Sequence, residues 1–214
     1  MKIIISGPIG SGKTSLAKIL SKSLNYTLLE EKVDNDLLSK YYEDVELINE
    51  NKIQHSPHVF LSEMICLQNH YEQLLSLSQD ENAIFDTGPV DDYIFAKSEV
   101  NKHIMSSKEF STYKFYYQQM FTLLESKLVS KDVLQIVITS KPKQILQNIQ
   151  NRNRKYEVND ELKDYYVKIY NQYRKYFNNV KLDNLISVDD TKDFVHNLDY
   201  QKQIINQVKS IIEK

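Results

Sequence analysis

The residues Gly7-Pro8-Ile9-Gly10-Ser11-Gly12-Lys13-Thr14 form the stretch that decides the fold. They include three of the four glycines of the chain, follow the apolar run from Lys2 to Ser6, and open a helical pattern that continues to Leu24. The string matches G-x-x-x-x-G-K-[ST], and a preceding strand with a following helix is the context that this motif requires. Glycines let backbone N–H groups converge on an anion, and the helix start from Gly12 to Ser15 adds the positive end of its dipole. The stretch therefore predicts a phosphate-binding P-loop.

Two side chains of this loop complete the predicted phosphate site. Lys13 would neutralise the β- and γ-phosphates of a nucleoside triphosphate, and the Thr14 hydroxyl would ligate the accompanying Mg²⁺. The alternative interpretation is a tight strand-to-helix turn that binds no ligand. The full motif in its required context favours the phosphate site.

The size and charge of the chain limit its possible partners and location. Its 214 residues suit one domain spanning residues 1–214, with a sizeable core. A formal net charge of −2 provides no overall field that attracts nucleic acid or an anionic membrane, so we expect neither partner. Cys66 is the single cysteine, and no run approaches the ~20 apolar residues that span a bilayer. We therefore expect a cytoplasmic protein without disulfides.

Short apolar runs alternate with helical patterns along the chain. This alternation predicts a doubly wound α/β fold: a parallel sheet of about five strands with helices on both faces, like that of P-loop NTPases. The predicted strands are Lys2 to Ser6, Tyr26 to Glu30, Ala83 to Asp86, Leu134 to Thr139 and Leu185 to Val188. The predicted helices are Thr14 to Leu24, Pro57 to Ser78, Lys108 to Ser130, Pro142 to Gln150, Asp160 to Phe177 and Asp199 to Glu213.

Acidic and basic side chains occupy positions that suit phosphoryl transfer by a small-molecule kinase. Glu31 follows the second strand at the carboxyl edge of the sheet, where ligands bind in open α/β folds, and is the candidate general base. Asp86 ends the third strand and is the candidate organiser of Mg²⁺. Arg152 and Arg154 suit a lid near residues 151–158 that closes on the transferred phosphate. Alternatively, Glu31 is a solvated loop acid, and the arginines stabilise the end of a helix.

In the order of its motifs, the chain resembles the deoxyribonucleoside kinase family, especially its bacterial deoxyadenosine and deoxyguanosine kinases. The resemblance runs nearly end to end. The matching stretches are Gly7 to Thr14, Glu31-Lys32-Val33, Tyr42, Phe60 to Glu63, His70, Asp86-Thr87-Gly88 with Asp92, Arg152 to Glu157, and Asp193-Phe194-Val195.

The resemblance implies transfer of the γ-phosphoryl group of ATP to the 5′-hydroxyl of a deoxynucleoside, in an enzyme that is usually a homodimer. Glu31 would accept the proton, while Lys13 and Arg152 would stabilise the moving phosphoryl group. The other implied roles are Mg²⁺ binding by Thr14 and Asp86, 3′-hydroxyl binding by Tyr42 and Glu157, and donor-base binding by Arg154, Asp193 and Phe194. The aromatic run from Phe110 to Phe121 could be a nucleobase platform, but we expect it to pack helices, including those of a subunit interface, because kinases that resemble this chain are usually dimers.

Four positions depart from the family pattern. Thr87 replaces an arginine beside the base, and Lys32, which replaces a proline, could supply a substitute cation. Glu63 replaces a base-reading glutamine, and His70 replaces an arginine and could pair with Glu63 or with Asp92. A carboxylate only accepts hydrogen bonds and suits the adjacent N–H groups of guanine. We therefore expect Glu63, His70 and Asp92 to favour purines, with guanine above adenine.

Two other functions remain open at the level of the sequence. The first is another P-loop phosphotransferase, such as a nucleoside monophosphate kinase, although its phosphate acceptor would call for more than the three arginines present. The second is a nucleotide-binding module with little turnover, which the replacements at Thr87, Lys32 and Glu63 favour. A nucleoside would stimulate ATP use by a deoxynucleoside kinase, and a monophosphate would stimulate ATP use by a nucleoside monophosphate kinase. Neither acceptor would stimulate ATP use by a nucleotide-binding module.

Overall fold

The computed structural model describes residues 1–32, 34–77, 81–101, 104–125, 133–158, 162–180 and 184–213. The strands are β1 Lys2–Ser6, β2 Thr27–Leu29, β3 Ala83–Phe85, β4 Val133–Thr139 and β5 Leu185–Asp189. They form one parallel sheet in the order β2-β3-β1-β4-β5. The predicted five-stranded parallel sheet is therefore confirmed, although the second and third strands are shorter than the sequence suggested.

The helices of the described residues are α1 Lys13–Leu24, α2 Asn35–Asn49, α3 Pro57–Ser76, α4 Pro89–Asn101, α5 Ser107–Glu125, α6 Pro142–Arg152, α7 Lys163–Asn179 and α8 Leu198–Ile212. The six predicted helices are present with shifted ends, and the predicted ends at Ser78, Ser130 and Asp160 lie outside the described residues. The sequence did not predict α2 and α4. In the part of the chain that is described, no helix combines the length and apolar character needed to cross a bilayer.

Helices cover both faces of the sheet, as predicted. On one face, Ile3 and Ile5 of β1 join a core with Leu16 and Leu20 of α1 and with the buried side of α8, where Ile204 and Val208 dock. On the other face, Ile4 meets Leu74 of α3, and the larger helical core lies beyond them. The alternation along β1 follows from the pleat, which sends successive side chains to opposite faces.

The strand order places three predicted site segments side by side. In a parallel sheet all carboxyl ends meet at one edge, where open α/β folds bind ligands. The P-loop follows β1, Asp86 follows β3 and Glu31 follows β2, and these strands are consecutive neighbours in the sheet. The topology alone therefore brings the phosphate loop and the candidate base to one edge.

A buried carboxylate ties this edge to the helices. Asp91 of α4 is fully buried and accepts hydrogen bonds from Ser6 Oγ at 2.5 Å and from the Gly7 amide at 3.2 Å. It also accepts from the Gly88 amide at 3.3 Å and from the Tyr173 hydroxyl of α7 at 2.7 Å. Four donors on one side chain fix the start of the P-loop relative to α4 and α7.

Replacing Asp91 by Asn should destabilise the protein by about 2–4 kcal/mol, because an amide group would face donors and leave them unsatisfied. Urea unfolding followed by circular dichroism measures the free energy of unfolding. Asp36→Asn, at an exposed position in the first turn of α2, is the matched control and should change that free energy by less than about 0.5 kcal/mol. Equal stability of the two variants would show that Asp91 does not tie these segments together.

Candidate active site

The P-loop has the backbone that its glycines predict. Gly10 and Gly12 lie at φ 78° and 89°, in the left-handed region that side chains disfavour. A Cβ atom on Gly12 would approach the ring of Phe194 to 2.9 Å. Gly12 caps α1, and no side chain caps the first turn of this helix. Its amide groups therefore remain open to an anion.

The side chains of Lys13 and Thr14 are held in place by the loop and its neighbour. Lys13 Nζ donates to the Gly7 carbonyl at 2.8 Å, so Gly7 and Pro8 turn their carbonyls toward this ammonium rather than toward the cavity. Thr14 Oγ1 donates to Asp86 Oδ2 at 2.7 Å. Thr14 and Asp86, which the sequence assigned to Mg²⁺, are therefore in direct contact.

The oxygen atoms of Thr14 and Asp86 fit a magnesium ion. Asp86 Oδ1 is buried and has no hydrogen-bond partner among the described residues. This carboxylate oxygen is therefore available to bind a metal ion. The described residues contain no group of three His, Cys, Asp or Glu side chains that could enclose a metal. Mg²⁺ needs no such cage, because it keeps several waters and binds phosphates with one or two protein ligands.

A cavity of about 780 Å³ joins the loop to most of the other predicted site residues. Its wall includes Ile9 to Ser15, Glu31, Tyr42, Glu63, Asp86, Asp92, Arg152, Arg154, Glu157, Asp193 and Phe194. Gly7, Pro8 and His70 are not part of this wall. The fold therefore gathers residues from seven separate segments of the chain around one cleft.

Glu31 lies at the cleft mouth, solvent-accessible but surrounded by protein. Desolvation raises the pKa of its carboxyl group, while the positive charges of His70 and Lys13 oppose that rise. Among the described residues, no side chain or backbone amide donates a hydrogen bond to the Glu31 carboxylate. The cations that act most strongly on it are thus His70 and Lys13, and not Lys32, which the sequence offered as a substitute.

Thr87 does not replace the missing arginine. Its hydroxyl is buried and makes no hydrogen bond within the described residues. The side chain is only 5% exposed, so it occupies the floor of the cleft without orienting the Glu31 carboxylate. Whatever positions Glu31 must come from elsewhere in the fold.

His70 pairs with Asp92, one of the two partners that the sequence proposed. His70 Nδ1 lies 2.7 Å from Asp92 Oδ2, and both side chains are buried. Burial alone would lower the pKa of His70, but the charge and hydrogen bond of Asp92, with the charge of Glu31, raise it to about 9. Because His70 lies behind Asp92, it acts on the cavity through the Asp92 carboxylate and does not itself line the cavity wall.

Two buried acidic side chains, Glu63 and Asp92, line the deep end of the cavity. Burial raises the pKa of the Cys66 thiol, and Asp92, Glu31 and Glu63 raise it further. Glu63 is 6% exposed and Asp92 is 4% exposed. The deep end of the cleft is thus rich in hydrogen-bond acceptors.

The residues predicted to bind the sugar lie beside one another. Tyr42 of α2 is buried and stacks on Tyr156 with ring centroids 5.7 Å apart. Burial raises the pKa of Tyr42, as do the nearby Tyr166 and Glu157, so its hydroxyl stays protonated and can donate. Glu157, 2% exposed, offers the matching acceptor.

The lid arginines converge on Glu157. Arg152 Nη2 donates to Glu157 Oε2 at 2.5 Å, and Arg154 Nη1 lies 3.4 Å from Oε1. The helix α6 continues through Arg152 and ends at Asn153, which has a left-handed φ of 52°. Arg152 is therefore the last helical residue, two residues beyond the predicted helix end, while Arg154 follows the turn.

The two residues of the predicted donor-base loop have different environments. Asp193 is exposed and accepts hydrogen bonds from His196, whereas Phe194 is 1% exposed and packs against Gly12. The nearly buried ring of Phe194 supports the P-loop from below. Of the pair, Asp193 is the side chain open to a donor base.

Comparison with known proteins agrees with this arrangement. The family model described as deoxynucleoside kinase matches residues 3–213. The chain belongs to the deoxynucleoside kinase family. A deoxyadenosine kinase of Lactobacillus acidophilus is 28% identical over 211 residues, covering 96% of this chain and 94% of the relative. A deoxyguanosine kinase of Lactobacillus johnsonii is also 28% identical, with coverage of 96% and 90%.

Solved deoxynucleoside kinases share the fold of the whole chain. The deoxyadenosine kinase of M. mycoides with bound dCTP has a TM-score of 0.76 and 26% identity, and covers 98% of this chain and 100% of that chain. The same protein with bound dATP gives a TM-score of 0.75, 25% identity and the same coverage.

Some contributors to this deoxynucleoside kinase site were missed by the sequence analysis. Asp91 carries no motif of its own, and only its fourfold hydrogen bonding reveals its role. Asn148 of α6 donates to the Gly10 carbonyl at 2.8 Å and so supports the P-loop from the lid side. An asparagine within a helix gives no signal for such a contact.

The His70 ring should titrate near pH 9 instead of near 6.5, because its ion pair with Asp92 favours the charged form. The folded pKa lies above the unfolded one, so this pair stabilises the protein fully below pH 6.5, by up to about 3 kcal/mol, and ceases to do so as the pH passes 9. NMR of the ring protons follows the titration, and His70→Gln identifies the signal. A midpoint near 6.5 would contradict the ion pair.

Proposed function

We propose that this enzyme transfers the γ-phosphoryl group of ATP to the 5′-hydroxyl of a deoxynucleoside. The observation that carries the proposal is the single cleft with the P-loop on one wall and Glu31 on another. The M. mycoides relative, with dATP or dCTP bound, supports the view that a cleft of this shape accepts deoxynucleotides. Phosphoryl transfer depends mainly on positioning and charge stabilisation, and both are available here.

Glu31 is the proposed general base. A deoxynucleoside with its sugar near Tyr42 and Glu157 would direct its 5′-hydroxyl toward the cleft mouth, where Glu31 accepts the proton as the oxygen attacks the γ-phosphorus. Its raised pKa makes this carboxylate a stronger base than an ordinary glutamate. The P–O bond to ADP breaks as the new P–O bond forms, and the proton remains on Glu31 until it passes to solvent.

Cationic groups stabilise the charge of the transferred phosphoryl group. Lys13 is fixed by the loop carbonyls, and Arg152 enters from the lid with part of its guanidinium exposed to the cavity. Thr14 and Asp86 would hold Mg²⁺, which neutralises charge on the β- and γ-phosphates. Arg154 and Asp193 are the proposed contacts of the donor base, and Phe194 supports them through the loop.

The deep acidic end favours a purine acceptor, with guanine above adenine. Glu63 and Asp92 present carboxylate oxygens, which suit the N1–H and N2–H₂ groups of guanine. Cytosine and adenine each present an acceptor at one position, which a carboxylate repels. The hydrogen bond with His70 Nδ1 fixes the orientation of the Asp92 side chain.

The other candidate functions receive less support from the site. A monophosphate acceptor would need cations at the acceptor end, but the arginines of the described cavity wall, Arg152 and Arg154, both pair with Glu157 at the lid. A module without turnover would not need a base with a raised pKa across from the P-loop. The described geometry therefore favours a nucleoside acceptor.

Two further features of the family are proposals for this chain. Phe115 and Tyr116 on α5 are 56% and 45% exposed, which suits a homodimer interface on this helix. In contrast, Tyr113 is buried, so the same helix also packs the core, as the sequence predicted. A cytoplasmic location stays a prediction.

Glu31→Gln should lower kcat by about 10²–10⁴-fold with little change in ATP affinity, because the amide cannot accept the proton. A coupled assay of ADP release with a deoxynucleoside acceptor gives kcat, and calorimetry gives the affinity for ATP. Glu30→Gln is the matched control, since among the described residues the Glu30 side chain pairs with Lys18 alone, in an exposed contact; this variant should retain activity. Lys13→Ala should abolish both turnover and tight ATP binding. Retained turnover in Glu31→Gln would assign the base elsewhere.

Deoxyguanosine should give the highest kcat/KM of the four deoxynucleosides, followed by deoxyadenosine. Glu63→Gln should lower kcat/KM for deoxyguanosine by about 10–100-fold, because a charge-assisted hydrogen bond becomes a mismatched one. Glu72→Gln on the same helix, where the carboxylate is exposed and bonded to Gln68, is the control and should leave the ranking unchanged. A pyrimidine optimum in the unmodified enzyme would overturn the purine preference.

A further inference from the structure

The segment that carries Glu31 lies beyond the hydrogen bonds of the sheet. Pairing of β2 with β3 reaches Leu29, whose carbonyl accepts from the Asp86 amide at 3.1 Å. Residues 30–32 follow without a ladder bond from any described residue. Because the Glu31 carboxylate also lacks a donor among the described residues, its position depends on how the backbone of this segment is held.

Two side-chain amides of α3 hold that backbone on either side of Glu31. Gln73 Nε2 donates to the Glu30 carbonyl at 2.9 Å, and Asn69 Nδ2 donates to the Lys32 carbonyl at 3.4 Å. The two amides are four residues apart, so they lie on one face of the helix. Their targets are the carbonyls immediately before and after Glu31.

The helix that supplies these amides is a rigid support. Val59, Leu67 and Leu74 of α3 are buried in the core, and Gln73 itself is only 7% exposed. Among the described residues, the other polar contact of the segment is the ion pair of Glu30 with Lys18, whose two side chains are each 54% exposed. An exposed pair of this kind fixes little. The side chains of Asn69 and Gln73 therefore connect the segment of residues 30–32 to the packed helix α3.

We propose that Asn69 and Gln73 form a backbone clamp that positions Glu31 for proton transfer. The proposal rests on the proposed function of Glu31 as the base. Neither residue contacts the substrate; both act through the position of the Glu31 backbone. The clamp takes the place of a side-chain partner on the carboxylate, which neither Thr87 nor Lys32 provides.

The clamp predicts a particular kinetic signature. A displacement of a catalytic group by about 1 Å can lower a rate by up to about 10²-fold, while substrate contacts made elsewhere are kept. Loss of either amide should therefore lower kcat and leave the KM values for ATP and the deoxynucleoside within about 2-fold. A purely structural role would lower thermal stability and change all parameters together.

The experiment compares Gln73→Met and Asn69→Ala with the unmodified enzyme in steady-state assays over ATP and deoxynucleoside concentrations. We expect kcat to fall by about 10-fold or more for Gln73→Met, and by less for Asn69→Ala, because its hydrogen bond is longer. Gln68→Met is the matched control, since Gln68 lies on the exposed side of the same helix and bonds to Glu72. It should leave kcat unchanged.

A double-mutant cycle tests whether the clamp acts through Glu31. In the Glu31→Gln background, Gln73→Met should lower the residual rate by less than about 2-fold, since there is no base left to position. A further 10-fold loss in that background, unchanged kcat in both clamp variants, or an equal loss in Gln68→Met would each overturn the proposal. If Gln73→Met fails to fold, Asn69→Ala, at a half-buried position, decides the question by the same criteria.

Hydrogen exchange separates failure of the clamp from failure of the proposed function. In Gln73→Met, the Asp86 amide, which donates to the Leu29 carbonyl at the end of the ladder, should exchange several-fold faster, while the amides of β1 keep their protection. If the unmodified enzyme phosphorylates no deoxynucleoside, the proposed function is wrong, and hydrogen exchange alone tests the clamp. Unchanged exchange at Asp86 would show that the side-chain amides do not hold the segment.

Discussion

The buried carboxylate of Asp91 is the constraint on which the rest of the site depends. A charge without partners inside a protein is costly, so Asp91 is stable only with its donors in place. These donors come from the end of β1, from the loop after β3 and from α7, and they include the first amide of the P-loop. Burial raises the pKa of Asp91, and the nearby Lys13 charge is the main opposing effect. The same residue therefore couples the phosphate loop to the helix that follows the lid.

Several acidic side chains of the cleft have defined polar partners. Glu157 meets both lid arginines, Asp92 meets His70, and Asp86 meets the Thr14 hydroxyl. The Arg152 bond to Glu157 uses one end of a guanidinium that carries five N–H donors, and 36% of this side chain remains exposed. One arginine can thus hold Glu157, the proposed sugar-binding acid, and still present donors to a phosphate. In the proposed function, this single side chain links the acceptor site to the donor site.

The sequence predicted the sheet and the P-loop because both depend on local patterns. Short apolar runs next to polar turns mark buried parallel strands, and the glycine positions follow from the positive φ angles at Gly10 and Gly12. The helix α4 was missed because Asp91 and Asp92 occupy core-facing positions, which breaks its amphipathic pattern. The helix α2, which places Tyr42 beside the cavity, was also missed. Tertiary contacts such as that of His70 with Asp92 follow from packing and leave no local pattern in the sequence.

Thr87, where the family has an arginine, changes the environment of the proposed base, Glu31. A guanidinium bonded to Glu31 would favour the charged carboxylate and lower its pKa, which would weaken it as a base. Here the carboxylate has no donor among the described residues, and desolvation raises its pKa instead. Neutral amides of Asn69 and Gln73 on the neighbouring carbonyls fix the backbone without adding charge to the carboxylate. Separate groups therefore control the position and the basicity of Glu31. The amides of Asn69 and Gln73 on α3 hold its position. Its pKa depends on the balance between desolvation, which raises it, and the charges of His70 and Lys13, which lower it.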